Sequence, residues 1–184
     1  MSLHTYLPQD RMRALARNET LPDRAHGSAL FADISGFTLL TEALGEMLGA
    51  RRGAEEMTKH LSRIYNALIA EVERYGGSVI DFAGDSVMCW FDDAHSPAPP
   101  RAVRCALALQ RVMDSFPAFS LPSGESVVMA VKVAVASGQA RRFVVGDPEV
   151  NCMDVLAGDT VMRVSTGEHH AQKGEALADR ATVD

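Results

Sequence analysis

The chain has 184 residues, 47% apolar and 23% charged, enough for one folded domain with a real core and too ordinary in composition for general disorder. Its net charge of −6 and scattered arginines argue against a nucleic-acid binder, which would carry a clustered basic face. Cys89, Cys105 and Cys152 are odd in number and lack CxxC spacing, so they read as reduced thiols of a cytoplasmic protein, and no run reaches the roughly 18 apolar residues of a membrane span.

Residues 1–27 read as a lead-in segment, in which Pro8 and Pro22 bracket a short helical run at 10–17. Its start has no long apolar core of the kind a signal peptide carries. The domain proper spans 28–184. Residues 28–34 form a strand, nearly continuous in apolarity as a buried strand is, with Asp33 at its C-terminal end. From Phe37 the spacing turns helical through Leu40, Leu44 and Leu48. A longer helix follows over 53–75, where Met57, Leu61, Ile64, Leu68 and Val72 recur every three or four residues, as core packing does. Gly76 and Gly77 stop it.

Residues 78–82 and 86–91 read as a hairpin with Ala83, Gly84 and Asp85 at its tip. Pro97, Pro99 and Pro100 introduce another helix, with one apolar face from Ala102 to Phe116. After a loop around Pro117, Pro122 and Gly124, residues 127–137 alternate with period two, and Lys132 is the one charge among small residues on its face. Residues 143–145 read as a short further strand. Residues 154–164 are too mixed to type, and the tail from Ser165 is polar. The order of elements predicts an α+β sandwich, an antiparallel sheet with helices on one face.

Two stretches carry chemistry. FADISGFT (31–38) and FAGDSVMCWF (82–91) each place an acid, Asp33 and Asp85, where an apolar run meets a tight Gly-containing turn. On an antiparallel sheet the end of the first strand can lie beside the tip of the following hairpin, so the two carboxylates could share a pair of Mg²⁺ ions with phosphate oxygens. Gly36, Phe37 and Thr38 open a helix whose first amides lack partners, and the helix dipole there favours an anion. Taken singly, Asp33 reads as a helix-capping residue and Asp85 as a turn former. A strand lysine reaching to solvent is the ordinary alternative for Lys132.

FADISGFTLLTEAL and GGSVIDFAGDSVMCWF closely resemble the metal-binding segments of class III nucleotidyl cyclases, the adenylyl and guanylyl cyclase catalytic domains. The nearest flavour is the first of two tandem domains in the soluble, bicarbonate-responsive adenylyl cyclases and their bacterial relatives. The resemblance implies a ferredoxin-like class III cyclase fold, with Asp33 and Asp85 as metal ligands, the Ile34 carbonyl assisting, Gly36, Phe37 and Thr38 cradling the triphosphate, and Lys132 meeting the phosphates. It also implies ATP as substrate, two Mg²⁺ ions with Mn²⁺ as a substitute, and conversion to cyclic AMP and pyrophosphate at a dimer interface, with no nucleic-acid or membrane partner.

The departures from that pattern are specific. The family's late G-x-x-V-N-x-A-x-R segment reads GDTVMRVST here, so Met162 replaces the ribose-orienting Asn and Thr166 the transition-state Arg. Asp81 replaces the adenine-selecting Lys. The chain therefore reads as the metal-binding half of a composite site, active only beside a complementary cyclase domain and cut short of the family's last strands. The alternative is an inactive, cyclase-like dimerisation or nucleotide-sensing module. Bicarbonate binding is not expected, because Asp81 and Ser165 stand where those relatives use a Lys and an Arg, although Arg163 lies close by. A diguanylate cyclase or polymerase palm shares the two-metal logic, but AGDSV lacks the GGDEF-type turn.

Overall fold

Alternating side chains give the central strands two unlike faces, and the helices divide between them. The computed structural model describes residues 7–120, 126–147 and 151–184, which leaves Pro122 and Gly124 outside the described residues. In chain order the elements are α1 (Gln9–Ala16), β1 (Arg24–Ser35), α2 (Phe37–Leu48), α3 (Ala50–Arg74), β2 (Ser78–Ala83), β3 (Ser86–Asp92), α4 (Ala98–Asp114), β4 (Phe119–Ser120) and β5 (Ser126–Val127). They continue with β6 (Ala130–Asp147), β7 (Asn151–Ala157), α5 (Asp159–His170), β8 (Ala176–Ala178) and α6 (Arg180–Val183). The main sheet runs β2-β3-β1-β6-β7 with antiparallel neighbours; β8 joins β6 in parallel, and β4 pairs with β5 apart from it.

Leu30, Ala32 and Ile34 of β1, Val87, Cys89 and Phe91 of β3, and Val131, Val133 and Val135 of β6 point to one side. There they bury Ile64, Leu68 and Val72 of α3 and Ala102, Cys105 and Leu109 of α4. This is the larger core, and truncating one of its fully buried leucines to alanine costs about 2–5 kcal/mol. Burial raises the Cys89 thiol well above its ordinary value and pushes that of Cys105 up to about 12, so both are inert core thiols; Cys152 is half-buried.

The opposite face corrects the expectation that helices cover one side only. Ala29, Trp90, Ala134 and Ala136 bury Val164 of α5 there. Small residues on this face let α5 lie close, so that a Cβ added to Gly167 would sit 3.2 Å from the Cβ of Ala134.

Two further readings change. Residues 130–147 form one strand, not a long strand and a separate short one, because β6 pairs with β1 through Arg141 and then with β7 from Arg141 to Asp147. Residues 154–164 and the tail are also structured, as the end of β7, α5, β8 and α6. The last turn is fastened by hydroxyls, with Thr182 bonded to Ser137 at 2.8 Å and Ser137 to Ser28 at 2.7 Å.

The lead-in helix α1 docks through charge. Arg142, almost wholly buried, is paired with Asp10 of α1 and Asp154 of β7, and Arg11 of α1 also reaches Asp154. Burial alone would raise the Asp10 carboxyl, but the hydrogen bonds and positive charge of Arg142 outweigh it and hold Asp10 below the usual carboxylate value.

Candidate active site

The register of the sheet assembles the first half of the site. Asp33, at the end of β1, lies opposite Ser86 of β3 on one side and Lys132 of β6 on the other. By alternation with Ala29 and Phe31 it points to the α5 face, as Lys132 does with Ala134 and Ala136. The Ser86 hydroxyl donates to Asp33 Oδ1 at 2.9 Å, and Lys132 Nζ lies 3.2 Å from Asp33 Oδ2. Lys132 also meets Glu168 Oε1 of α5 at 2.5 Å, so the lysine does not run free to solvent.

The hairpin brings the second acid to the same end of the sheet. β2 and β3 are joined by Gly84 and Asp85 alone, with Gly84 at φ 64°, a backbone state that such two-residue turns need and that glycine adopts without penalty. The Ile34 N–H donates to the Asp85 carbonyl at 3.0 Å, which ties the turn to the residue after Asp33. Tyr65 of α3 donates its hydroxyl to the Gly84 carbonyl at 3.1 Å. Burial, then the negative charges of Asp85 and Asp33, raise the Tyr65 phenol above its ordinary value. One phenol thus feels both carboxylates.

Gly36 begins α2 at φ 96°, where a side chain would be strained, and a Cβ there would lie 3.1 Å from the Val128 carbonyl. Among the described residues no side chain caps α2. Thr38 is exposed and Phe37 half-buried at this end. The ammonium of Lys173 donates to the same Val128 carbonyl at 2.5 Å, which sets a positive charge close to the start of α2.

The three substituted positions lie elsewhere on this side of the sheet. Asp81 is exposed on edge strand β2, its carboxylate accepting from the Phe82 N–H at 2.8 Å. Met162, 71% exposed, and Thr166 sit one turn apart on α5, where the Thr166 hydroxyl donates to the Met162 carbonyl at 2.9 Å. Arg163 is committed to Asp159, Asp179 and the Ser137 carbonyl. Reading residues alone misses Ser86, Tyr65 and Glu168, each of which joins the site through a partner distant in sequence.

Asp33, Asp85 and the Ile34 carbonyl supply oxygen donors only, the set that suits Mg²⁺ or Mn²⁺ rather than a thiolate- or imidazole-seeking metal. Asp33 Oδ2 already takes a cation in the form of the Lys132 ammonium, so the residues fit a hard divalent ion. Among the described residues no group of three or more His, Cys, Asp or Glu is gathered to hold a metal. An ion here would complete its shell with water and phosphate oxygens, as Mg²⁺ commonly does.

An antiparallel sheet of this order, flanked by helices, has the fold of nucleotidyl cyclase domains. The chain belongs to the adenylate and guanylate cyclase catalytic domain family, whose model matches residues 24–183. It is similar to adenylate cyclase type 10 of Mus musculus, 27% identical over 154 residues that make up 82% of this chain and 9% of that protein. It is also similar to adenylate cyclase 1 of Rhizobium meliloti (strain 1021), 28% identical over 125 residues, 65% of this chain and 18% of that protein. The chain thus spans less than a fifth of the length of these relatives. Among solved structures, the adenylyl cyclase CyaB from P. aeruginosa matches with a TM-score of 0.68 at 24% identity, covering 86% of this chain and 79% of that one. The catalytic core of a rhodopsin-guanylyl cyclase with converted specificity, in complex with ATPalphaS, matches with a TM-score of 0.67 at 22% identity, covering 88% and 83%. The fold is that of the family. No helix among the described residues is long and apolar enough to cross a membrane.

Proposed function

We propose that this chain is the metal-binding half of an adenylyl cyclase, converting ATP to cyclic AMP and pyrophosphate only when a complementary cyclase domain faces it. The observation that carries the reading is the convergence of Asp33 and Asp85 at one end of the sheet, with Ile34 bonded to the turn between them, while Asp81, Met162 and Thr166 lack the required chemistry. Asp33, Asp85 and the Ile34 carbonyl would hold the divalent ions, which, when bound, would lower the pKa of the ribose 3′-hydroxyl and offset charge on the phosphates. The first amides of α2, from Gly36, Phe37 and Thr38, take phosphate oxygens, and Lys132 adds a positive charge.

The partner supplies groups this chain does not have. An Asn to orient the ribose and an Arg for the transition state stand as Met162 and Thr166, so two copies of this chain would duplicate the acids and still lack both. Phe82 and Met153, exposed at 50% and 51%, line one groove and support a surface that another domain covers. The natural protein, on this reading, carries a second cyclase domain beyond the 28–184 unit.

The test is reconstitution. The purified chain should make little cyclic AMP alone, and should gain activity when mixed with a cyclase domain bearing the Lys, Asn and Arg, with loss on Asp33→Ala. Robust turnover by the chain alone would refute the half-site. Failure with a competent partner, despite Mg-ATP binding, would favour the nucleotide-sensing module that the substitutions at Asp81, Met162 and Thr166 also fit.

A further inference from the structure

We infer that Glu168 is a positioning residue that draws the Lys132 ammonium off Asp33 when a divalent cation binds, so that the lysine serves as a resident counter-ion for the metal to displace. The inference rests on reading Asp33 and Asp85 as metal ligands.

Lys132 Nζ lies 3.2 Å from Asp33 Oδ2 and 2.5 Å from Glu168 Oε1. An ammonium has three donors and a compact charge, and here two acids on different elements, β1 and α5, share it. Glu168 is the nearer.

Glu168 is 8% exposed, on the side of α5 that faces the sheet. The close approach of Gly167 to Ala134 fixes the helix there. The exposed imidazole of His169 lies 3.3 Å from Glu168 Oε2. A buried carboxylate stripped of its cation is strongly unfavourable, so Lys132 is held to Glu168 more firmly than to Asp33.

Two states follow. Without metal, Lys132 partly neutralises Asp33 and eases its repulsion with Asp85. With metal on Asp33, the ammonium stays on Glu168, and the donor it had given to Asp33 becomes available to a phosphate. The exchange moves no proton and makes no covalent bond.

The test is Mn²⁺ binding to the full chain without nucleotide, followed by electron paramagnetic resonance of free Mn²⁺ and by calorimetry. Glu168→Gln should weaken Mn²⁺ binding roughly three- to tenfold, the scale of one charge-assisted hydrogen bond partly open to solvent. Lys132→Gln should tighten it by a similar factor. In the Lys132→Gln background, Glu168→Gln should change affinity by less than about twofold, because its effect runs through the lysine. An equal loss in both backgrounds would show a through-space charge effect and overturn the inference, as would unchanged affinity in Glu168→Gln alone. Asp33→Asn is the control for the underlying reading: if it leaves Mn²⁺ binding intact, the metal site itself is misplaced. Should Lys132→Gln fail to fold, Lys132→Arg keeps the charge and should weaken Mn²⁺ binding by gripping both acids, and unchanged affinity would overturn the inference.

Discussion

Tyr65 donates its hydroxyl to the carbonyl of Gly84 at 3.1 Å, so the long helix α3 holds the turn that carries Asp85. The ring also meets Phe82 edge-on, with centroids 5.5 Å apart. Tyr65→Phe keeps that contact and removes the bond. It should cost about 0.5–1.5 kcal/mol of stability, the usual range for one such bond. It should also weaken Mn²⁺ binding, since the turn then loses its bond to α3 and is held only from the β1 side, by the Ile34–Asp85 and Ser86–Asp33 bonds. Thermal melts and calorimetry on the two proteins check both effects.

Gly36 is the second fixed point of the site. Its φ of 96° and the Val128 carbonyl, which would lie 3.1 Å from a Cβ at this position, leave little room for a side chain. Gly36→Ala should cost about 1–2 kcal/mol from the left-handed backbone alone. It should displace the first amides of α2 and so weaken binding of a non-hydrolysable ATP analogue more than binding of Mn²⁺ by itself. Parallel titrations with each probe separate the two effects, and equal losses would argue against a phosphate role for this helix start.

Acid should release the lead-in helix before it unfolds the sheet. Asp10 is held below its unfolded value of about 3.8 by Arg142, despite burial. A depressed carboxylate contributes stability that is complete above its unfolded pKa and is lost as pH falls through its folded one. The contribution should therefore be full at pH 5 and above, and should fade below about pH 4. Asp93, lowered by the Ala98 N–H and His26 against burial, adds loss in the same window. Asp10→Asn should be less stable than the native chain at neutral pH and should lose less on acidification. Thermal midpoints from pH 7 to pH 3 measure it.

The parts of this fold that are legible in the residues are those with apolar period and tight turns. Leu30, Val131 and Val133 announce buried strands, and Met57 to Val72 a packed helix, because their neighbours in sequence already set the pattern. α5 escapes such reading for a physical reason. Its inner side is Thr160, Val164, Gly167 and Glu168, and what it packs on is Ala134 and Ala136, so closeness replaces hydrophobic bulk. The continuation of β6 is hidden likewise. Arg142 looks like a surface charge until Asp10 and Asp154, both distant in sequence, are placed around it. At the site, Asp33 and Asp85 stand out by their turns, whereas Glu168 acquires meaning only when α5 is laid over Lys132.

The proposed half-site makes a prediction that can be built. Asp81 and Thr166 are exposed, and Met162 is 71% exposed, so replacing them should change stability by less than about 0.5 kcal/mol each. The triple variant Asp81→Lys, Met162→Asn and Thr166→Arg would give a single chain both the acids and the missing complements. Loss of one transition-state donor typically costs about 10²–10³ in rate, so the single variants, each still lacking other groups, should remain close to the native chain. The triple variant should make cyclic AMP at least tenfold faster than the native chain, with steep dependence on protein concentration because two copies must meet. Adding Asp33→Ala should remove the gain. A triple variant that folds and binds Mn²⁺ yet shows no gain would mean that more than these three side chains separates this domain from turnover, and would turn the balance toward a nucleotide-sensing role.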